Sequence, residues 1–113
     1  MGKTLGDFEQ MILFALVALG DDAYGASIRR EIVDRTGREV AAGAVYTVLD
    51  RLERAGLVRS RVGAPTGERG GRRRKHYTLR PDGARLLRET RERMQRMEAG
   101  LIGDLDRLAE EGV

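Results

Sequence analysis

The first apolar residues of the chain recur at helical spacing, at Leu5, Phe8, Ile12, Ala15, Leu16 and Leu19. They predict a helix over residues 5–19 that begins at a capping box of Thr4 and Asp7. Leu13 and Phe14 add apolar groups on a second face. A helix that is apolar on two faces is buried on both, so this helix is expected to lie centrally or to meet a second chain.

A shorter amphipathic pattern predicts a second helix over residues 24–36. Asp21 and Asp22 precede it and are candidates for its N-cap, and Gly37 follows it as a C-terminal stop. Tyr24 opens this helix.

The third helical pattern, residues 42–55, divides into two faces. One face is apolar and consists of Val45, Val48, Leu49 and Leu52. The other carries small, hydroxyl and charged residues, namely Gly43, Tyr46, Thr47, Asp50 and Arg54. Small residues let a backbone approach closely, and hydroxyl or charged groups can reach phosphates and base edges. The pattern therefore predicts a recognition helix, with Gly56 as its stop.

Two extended runs, residues 57–62 and 75–79, flank a Pro- and Gly-rich loop and predict a β-hairpin. Residues 59–80 carry eight basic residues and one acidic residue, a net charge of +7 in a chain whose total is +3, so the remainder carries −4. A cluster of positive charge on one hairpin indicates a surface that binds a polyanion, most often nucleic acid. The alternative is a solvated, arginine-rich loop.

The basic residues of the second run are Arg72, Arg73, Arg74 and Lys75. Side chains alternate across a strand, so only about half of them can face DNA at once. The others are expected to meet solvent or the acidic side of the third helix at Asp50 and Glu53. His76, the only histidine of the chain, is interpreted as structural or as a minor phosphate contact.

A final helix is predicted over residues 81–110, with Pro81 in its first turn. Leu87, Met94, Leu101 and Leu108 fall seven residues apart, with Met97 and Leu105 nearby, and form a coiled-coil-like seam. Together with Leu13 and Phe14, this seam is the predicted dimerisation surface. Thr90 and Asp104 interrupt the seam, and Gly100 and Gly103 weaken the helix.

Composition excludes several classes of function. The 113 residues include no cysteine, which removes disulfides, thiolate zinc sites and cysteine nucleophiles. The single histidine argues against a metal site and against an acid–base pair. The sequence contains neither a P-loop nor a dinucleotide-binding fingerprint. The longest apolar run, residues 11–19, is too short for the roughly 20 residues of a membrane span. We therefore expect a cytoplasmic protein that is not an enzyme, has no cofactor or metal, and does not contact a membrane.

Three segments resemble the PadR family of transcriptional regulators: DAYG at 22–25, GAVYTVLDRLERAGL at 43–57 and GGRRRKHYTLRPDG at 70–83. The resemblance covers about residues 5–85. The single C-terminal helix is similar to that of the short PadR subfamily, whose members form dimers through that helix and the first one. The fold that this implies is mainly α with a small β-hairpin: a winged helix-turn-helix domain over residues 1–80, followed by a dimerisation helix over residues 81–113.

The resemblance also implies a function. It points to a homodimeric repressor that binds a palindromic operator in double-stranded DNA, near its own promoter or that of a neighbouring operon, often one encoding a transporter. The DNA-binding residues would be Tyr24, Gly43, Tyr46, Thr47, Asp50, Arg54, Arg72, Arg73, Arg74, Lys75 and His76. A winged-helix adaptor that binds proteins instead of DNA is the alternative, but it would have little use for a clustered arginine hairpin.

Three residue roles stay open. The Tyr46 hydroxyl either contacts a phosphate or its ring packs against the wing. Tyr24 either supports or contacts the DNA backbone, or it is a packed core residue. Met94 and Met97 either pack in the core or dimer interface or line a pocket for a small-molecule effector, whose identity the sequence does not reveal.

Overall fold

The computed structural model describes residues 4–65 and 73–111. Their elements, in chain order, are α1 (Asp7–Leu19), a 3₁₀ turn (Gly20–Asp22), α2 (Gly25–Thr36), α3 (Ala42–Arg54), β1 (Val58–Pro65), β2 (Arg73–Leu79), α4 (Pro81–Glu98) and α5 (Ile102–Glu111). The prediction of a mainly helical protein with one antiparallel hairpin is confirmed. Three helices followed by a hairpin, the wing, is the order of a winged helix-turn-helix.

The start of α1 differs from the prediction. Its N-cap is Gly6, whose N–H donates to the Glu9 carboxylate at 2.8 Å, so the capping box of Thr4 and Asp7 is wrong. The reason lies in Leu5, which is buried ahead of the helix. Its carbonyl accepts a hydrogen bond from the Gln10 side chain at 3.1 Å, and this contact sets the helix entry.

The cap of α2 is also not the predicted one. Tyr24 is the N-cap, and its N–H donates to Ser27 Oγ at 3.0 Å. The Ser27 hydroxyl lies 2.6 Å from the Asp22 carbonyl oxygen and can donate to it, so Asp22 contributes its backbone to this turn. Asp21 and Asp22 therefore lie in the 3₁₀ turn with exposed side chains and do not cap α2. Gly37 ends α2 in the left-handed conformation, as predicted.

The core forms where α1, α2 and α3 meet. All four predicted apolar residues of α3 are buried, and Ile12, Leu16, Ile28 and Ile32 pack in the same cluster. Leu57, Val58 and Tyr77 from the hairpin and Leu87 from α4 complete it. The wing base and the first part of α4 are therefore built onto the helical core.

Both strands are longer than predicted. Their antiparallel register pairs Val58 with Leu79 and Val62 with Lys75, and it shifts before the pair of Pro65 and Arg73. The Tyr77 N–H donates to the Ala23 carbonyl at 2.8 Å, so β2 is hydrogen-bonded to the segment before α2 as well as to β1.

The predicted single C-terminal helix is two helices. Pro81 starts α4 as expected, but the chain leaves the helix after Glu98, and α5 begins at Ile102. Gly100 has a φ of +78°, the left-handed conformation that ends helices, so a single seam over residues 81–110 is wrong. In the described part of the chain, no helix has both the length and the apolar character needed to span a membrane.

Candidate nucleic-acid interface

The outer face of α3 is exposed along its whole length. Every residue predicted for this face is solvent-accessible, namely Gly43, Tyr46, Thr47, Asp50 and Arg54. A Cβ built on Gly43 would meet no atom within 4 Å, so the start of the helix presents bare backbone to the exterior. The Thr47 hydroxyl donates to the Gly43 carbonyl at 2.9 Å and keeps a lone pair for an outside donor. This face has the size and the polar groups that suit a major groove.

Tyr46 packs against α2. A Cβ on Gly25 would lie 2.2 Å from the Tyr46 hydroxyl oxygen, so the phenol fills the space that Gly25 leaves at the start of α2. The sequence did not predict this contact with α2. Arg29 and Arg30 line the same surface depression, which places the half-exposed phenol in a cationic neighbourhood.

The described side chains of β2 alternate as predicted. Arg74 and His76 face Tyr24: the Arg74 guanidinium carbon lies 4.4 Å from the Tyr24 ring centroid, and the His76 ring meets the same ring edge-on at 5.6 Å. Lys75 faces the other side, with its Nζ 3.9 Å from Glu53 Oε1. Arg72 lies outside the described residues, and Arg73 is described only through its place in β2.

Glu53 joins α3 to the wing. Its approach to Lys75 agrees with the expectation that some basic residues of the second run meet Asp50 or Glu53, whereas its hydrogen bonds to Ser60 were not predicted. One carboxylate oxygen accepts from the Ser60 N–H at 3.1 Å and from the Ser60 hydroxyl at 2.5 Å. The bond from the Ser60 hydroxyl, aided by the Ser60 N–H and the Lys75 charge, outweighs burial and lowers the pKa of Glu53. The sequence offered one signal for the bonds to Ser60: Glu53 is an acidic residue at the end of α3 and precedes a serine of the next strand by seven residues.

Tyr77 lies beneath this junction. Its side chain is buried, and that burial, with the nearby negative charges of Asp50 and Glu53, raises the pKa of Tyr77 to about 12. The phenol therefore stays neutral at every physiological pH and acts as a packing group at the wing base.

The residues predicted for dimerisation fall into two groups. Leu13 is fully buried, and Leu87 is nearly so, both in the core of their own chain, so neither lies on a spare apolar face as expected. The others are exposed, namely Phe14, Met94, Met97, Leu101, Leu105 and Leu108. Val17 and Ile102 are also exposed apolar residues, and the prediction missed them.

Comparisons with known sequences and structures identify the family and the fold. The sequence model of the Transcriptional regulator PadR-like family matches residues 13–89. No curated protein sequence matches the chain significantly.

Among solved structures, the fold is similar to a PadR family transcription regulator from Clostridium difficile R20291, with a TM-score of 0.69 and 25% identity over 88% of this chain and 98% of that one. It is also similar to a PadR family transcriptional regulator from Eggerthella lenta, with a TM-score of 0.65 and 28% identity over 85% of this chain and 80% of that one. F93 from STIV, a winged-helix DNA-binding protein, shares the fold at 22% identity, with a TM-score of 0.65 over 84% of this chain and 95% of F93.

Proposed function

The chain belongs to the PadR-like family of transcriptional regulators, which are non-enzymatic DNA-binding proteins, and from this premise we propose that it is a homodimeric repressor. Its target would be a palindromic operator near its own promoter or that of a neighbouring operon, such as one for a transporter. The single observation that carries the proposal is the exposed outer face of α3 beside a cationic wing that Glu53 fixes to the same helix.

The two parts of this surface have different tasks. The outer face of α3 would read base edges in the major groove, with Thr47 and Asp50 at its centre. Arginines on a hairpin reach phosphates or the adjacent minor groove more readily than ordered base edges, so residues 72–74 would supply affinity rather than sequence information. Residues 1–80 would thus bind DNA and residues 81–113 would dimerise.

Dimerisation is supported by the apolar residues that the chain leaves exposed. Phe14 and Val17 lie on α1, Met94 and Met97 on α4, and Leu101 between the last two helices. Burying a side chain of this size stabilises by roughly 1.5–3 kcal/mol, and a two-fold axis counts each residue twice. A dimer with two-fold symmetry binds a site with the same symmetry, which is the reason to expect a palindrome.

Sequencing of genomic fragments that the purified protein retains tests the function. Wild-type protein should enrich a palindromic motif, and Thr47→Ala and Asp50→Ala should enrich a different or degenerate one. Glu110→Ala, an exposed change on α5, is the control and should return the parental motif. If Thr47→Ala and Asp50→Ala also return it with full discrimination, α3 does not read the bases. If no duplex is retained at all, the adaptor function replaces DNA binding.

The oligomeric state is tested separately. Leu101→Asp should give monomers by light scattering, because it places a charge on the exposed apolar surface between α4 and α5. Operator affinity should fall with it, since each half-site would then be bound alone. A Leu101→Asp protein that stays dimeric would remove this surface from the proposed interface.

A further inference from the structure

The Tyr24 ring lies between two side chains of the wing. The Arg74 guanidinium carbon lies 4.4 Å from its centroid, within the roughly 6 Å at which a cation over an aromatic face is attracted to it. His76 closes another side of the ring at 5.6 Å, with an angle of 66° between the two ring planes. Two side chains of β2 thus contact this ring.

Backbone contacts fix the position of the Tyr24 ring relative to the recognition helix, α3. Tyr24 pairs with His76 as an isolated bridge, and the next residue of the strand, Tyr77, donates to the Ala23 carbonyl at 2.8 Å. On its other side, the Tyr24 N–H is held by Ser27 in the first turn of α2. Because α2 packs on α3, the position of the ring follows that of the recognition helix.

Arg74 is placed for use by an outside anion. Within the part of the chain that the structure describes, the Arg74 side chain donates no hydrogen bond, so its N–H donors are available to an outside acceptor. Among the described residues, no carboxylate lies within ion-pair distance of Arg74, whereas the neighbouring Lys75 approaches Glu53 at 3.9 Å. An arginine on a hairpin loses side-chain entropy when it binds a phosphate, and a fixed ring beneath it reduces that loss.

We propose that Tyr24 is a positioning residue for DNA binding: its ring, and not its hydroxyl, holds Arg74 at a fixed place beside the recognition helix. The proposal rests on the proposed function for its consequence in affinity. The contact itself is a property of the free protein and can be measured without DNA.

Two substitutions at Tyr24 separate the ring from the hydroxyl. Tyr24→Phe keeps the ring and should bind a duplex within about twofold of wild type. Tyr24→Leu removes the ring and should weaken binding by about threefold to fivefold per subunit, the size of an exposed cation–π contact. Arg74→Ala should weaken binding at least as much, and adding Tyr24→Leu to Arg74→Ala should weaken it no further.

The probes are a duplex recovered from the genomic selection and a random-sequence duplex of equal length, at one fixed salt concentration. Equal losses for Tyr24→Phe and Tyr24→Leu would overturn the proposal, because the hydroxyl would then be the contact. The proposal would also be overturned if Tyr24→Leu weakened DNA binding as much in the Arg74→Ala protein as it does in wild type. Tyr24 would then act without the arginine. Tyr24→Met, which keeps side-chain bulk without a ring, replaces Tyr24→Leu if the latter does not fold.

A second readout uses the free protein. The Arg74 side-chain protons should show upfield ring-current NMR shifts in wild type and in Tyr24→Phe, and these shifts should vanish in Tyr24→Leu. Shifts that are absent from the wild type would overturn the proposal even if DNA binds. Shifts that are present in a protein that binds no duplex would instead refute DNA binding and leave the Tyr24–Arg74 contact established.

Discussion

Replacing Gly83 with alanine should destabilise the protein, because the start of α4 has no room for a side chain there. A Cβ at this position would lie 2.3 Å from the Leu57 carbonyl oxygen and 2.8 Å from Leu79 Cδ1. The carbonyl is not free to move away, since it accepts the Arg80 N–H at 3.0 Å. Gly83 thus allows α4 to approach the base of the wing.

Two effects of opposite sign set the magnitude. Alanine is preferred over glycine within a helix by up to about 1 kcal/mol. Forcing a methyl group into a packed site costs about 1–3 kcal/mol, and more where backbone must shift. The atom in the way here is a hydrogen-bonded backbone oxygen, and van der Waals contact requires a separation more than about 1 Å larger than the 2.3 Å available. We expect packing to win, with a net loss of about 2 kcal/mol and a fall in Tm of about 10 °C.

Urea and thermal unfolding of Gly83→Ala and wild type measure this loss. The matched control is Gly43→Ala, which also changes a glycine in the first turn of a helix but meets no atom within 4 Å. The control should be as stable as wild type or slightly more stable. If Gly83→Ala behaves like the control, α4 does not pack on the Leu57 carbonyl, and the described attachment of α4 to the wing base is refuted.

Three further predictions concern the site. Gly25→Ala should displace the Tyr46 phenol, whose oxygen lies 2.2 Å from the added Cβ. Anisotropy titrations should then show weaker DNA binding. The urea midpoint should change little, because the half-exposed Tyr46 side chain can rotate away. Tyr77 has a pKa of about 12 when folded and 10.0 as its ordinary value, so stability should fall as pH rises from 10 to 12, by roughly 3 kcal/mol at most. Equal declines in wild type and Tyr77→Phe would contradict this. Glu53 has a folded pKa below its ordinary 4.5, so its contribution to stability is complete above pH 4.5 and is lost as pH falls through the lowered pKa. The free energy of unfolding should therefore depend less steeply on acid pH in Glu53→Gln than in wild type, and identical slopes would contradict this.

The recognition helix was predictable because its apolar residues recur at helical spacing. An apolar stripe of four residues and a stop at Gly56 leave one way to place residues 42–54 against a core, and the structure buries that stripe and exposes the other face. The side-chain alternation of β2 followed from strand geometry alone. These features depend on local periodicity, which the sequence shows directly.

The capping errors have a different cause. Thr4, Gly6 and Asp7 lie within four residues of one another, and each is a residue type that can cap a helix. Burial of Leu5 decides among them, and that burial depends on the assembled core. The same holds for Leu13, because β2 and α4 of the same chain also pack on α1. A helix apolar on two faces indicated two partners, but sequence could not show that one chain supplies both.

The C-terminal break shows the limit of a heptad pattern. Gly100 and Gly103 both weaken a helix, yet the first has a positive φ and ends α4 while the second lies within α5. Composition alone does not distinguish the two outcomes. The break at Gly100 divides the predicted seam into Met94 and Met97 on one helix and Leu105 and Leu108 on the next.

The wing is attached to the helices at points that are distant in sequence. Ser60 is held by the last turn of α3, Tyr77 by the Ala23 carbonyl, and Arg74 by the ring of Tyr24, the N-cap residue of α2. Because each point joins β1 or β2 to a helix of the DNA-binding unit, the wing and the recognition helix should move together when DNA binds. The exposed apolar residues proposed for dimerisation lie elsewhere, on α1, late in α4, on α5 and at Leu101 between these two helices. Both variants should weaken operator binding, but Leu101→Asp should do so through loss of the dimer, whereas Tyr24→Leu should do so in a protein that stays dimeric.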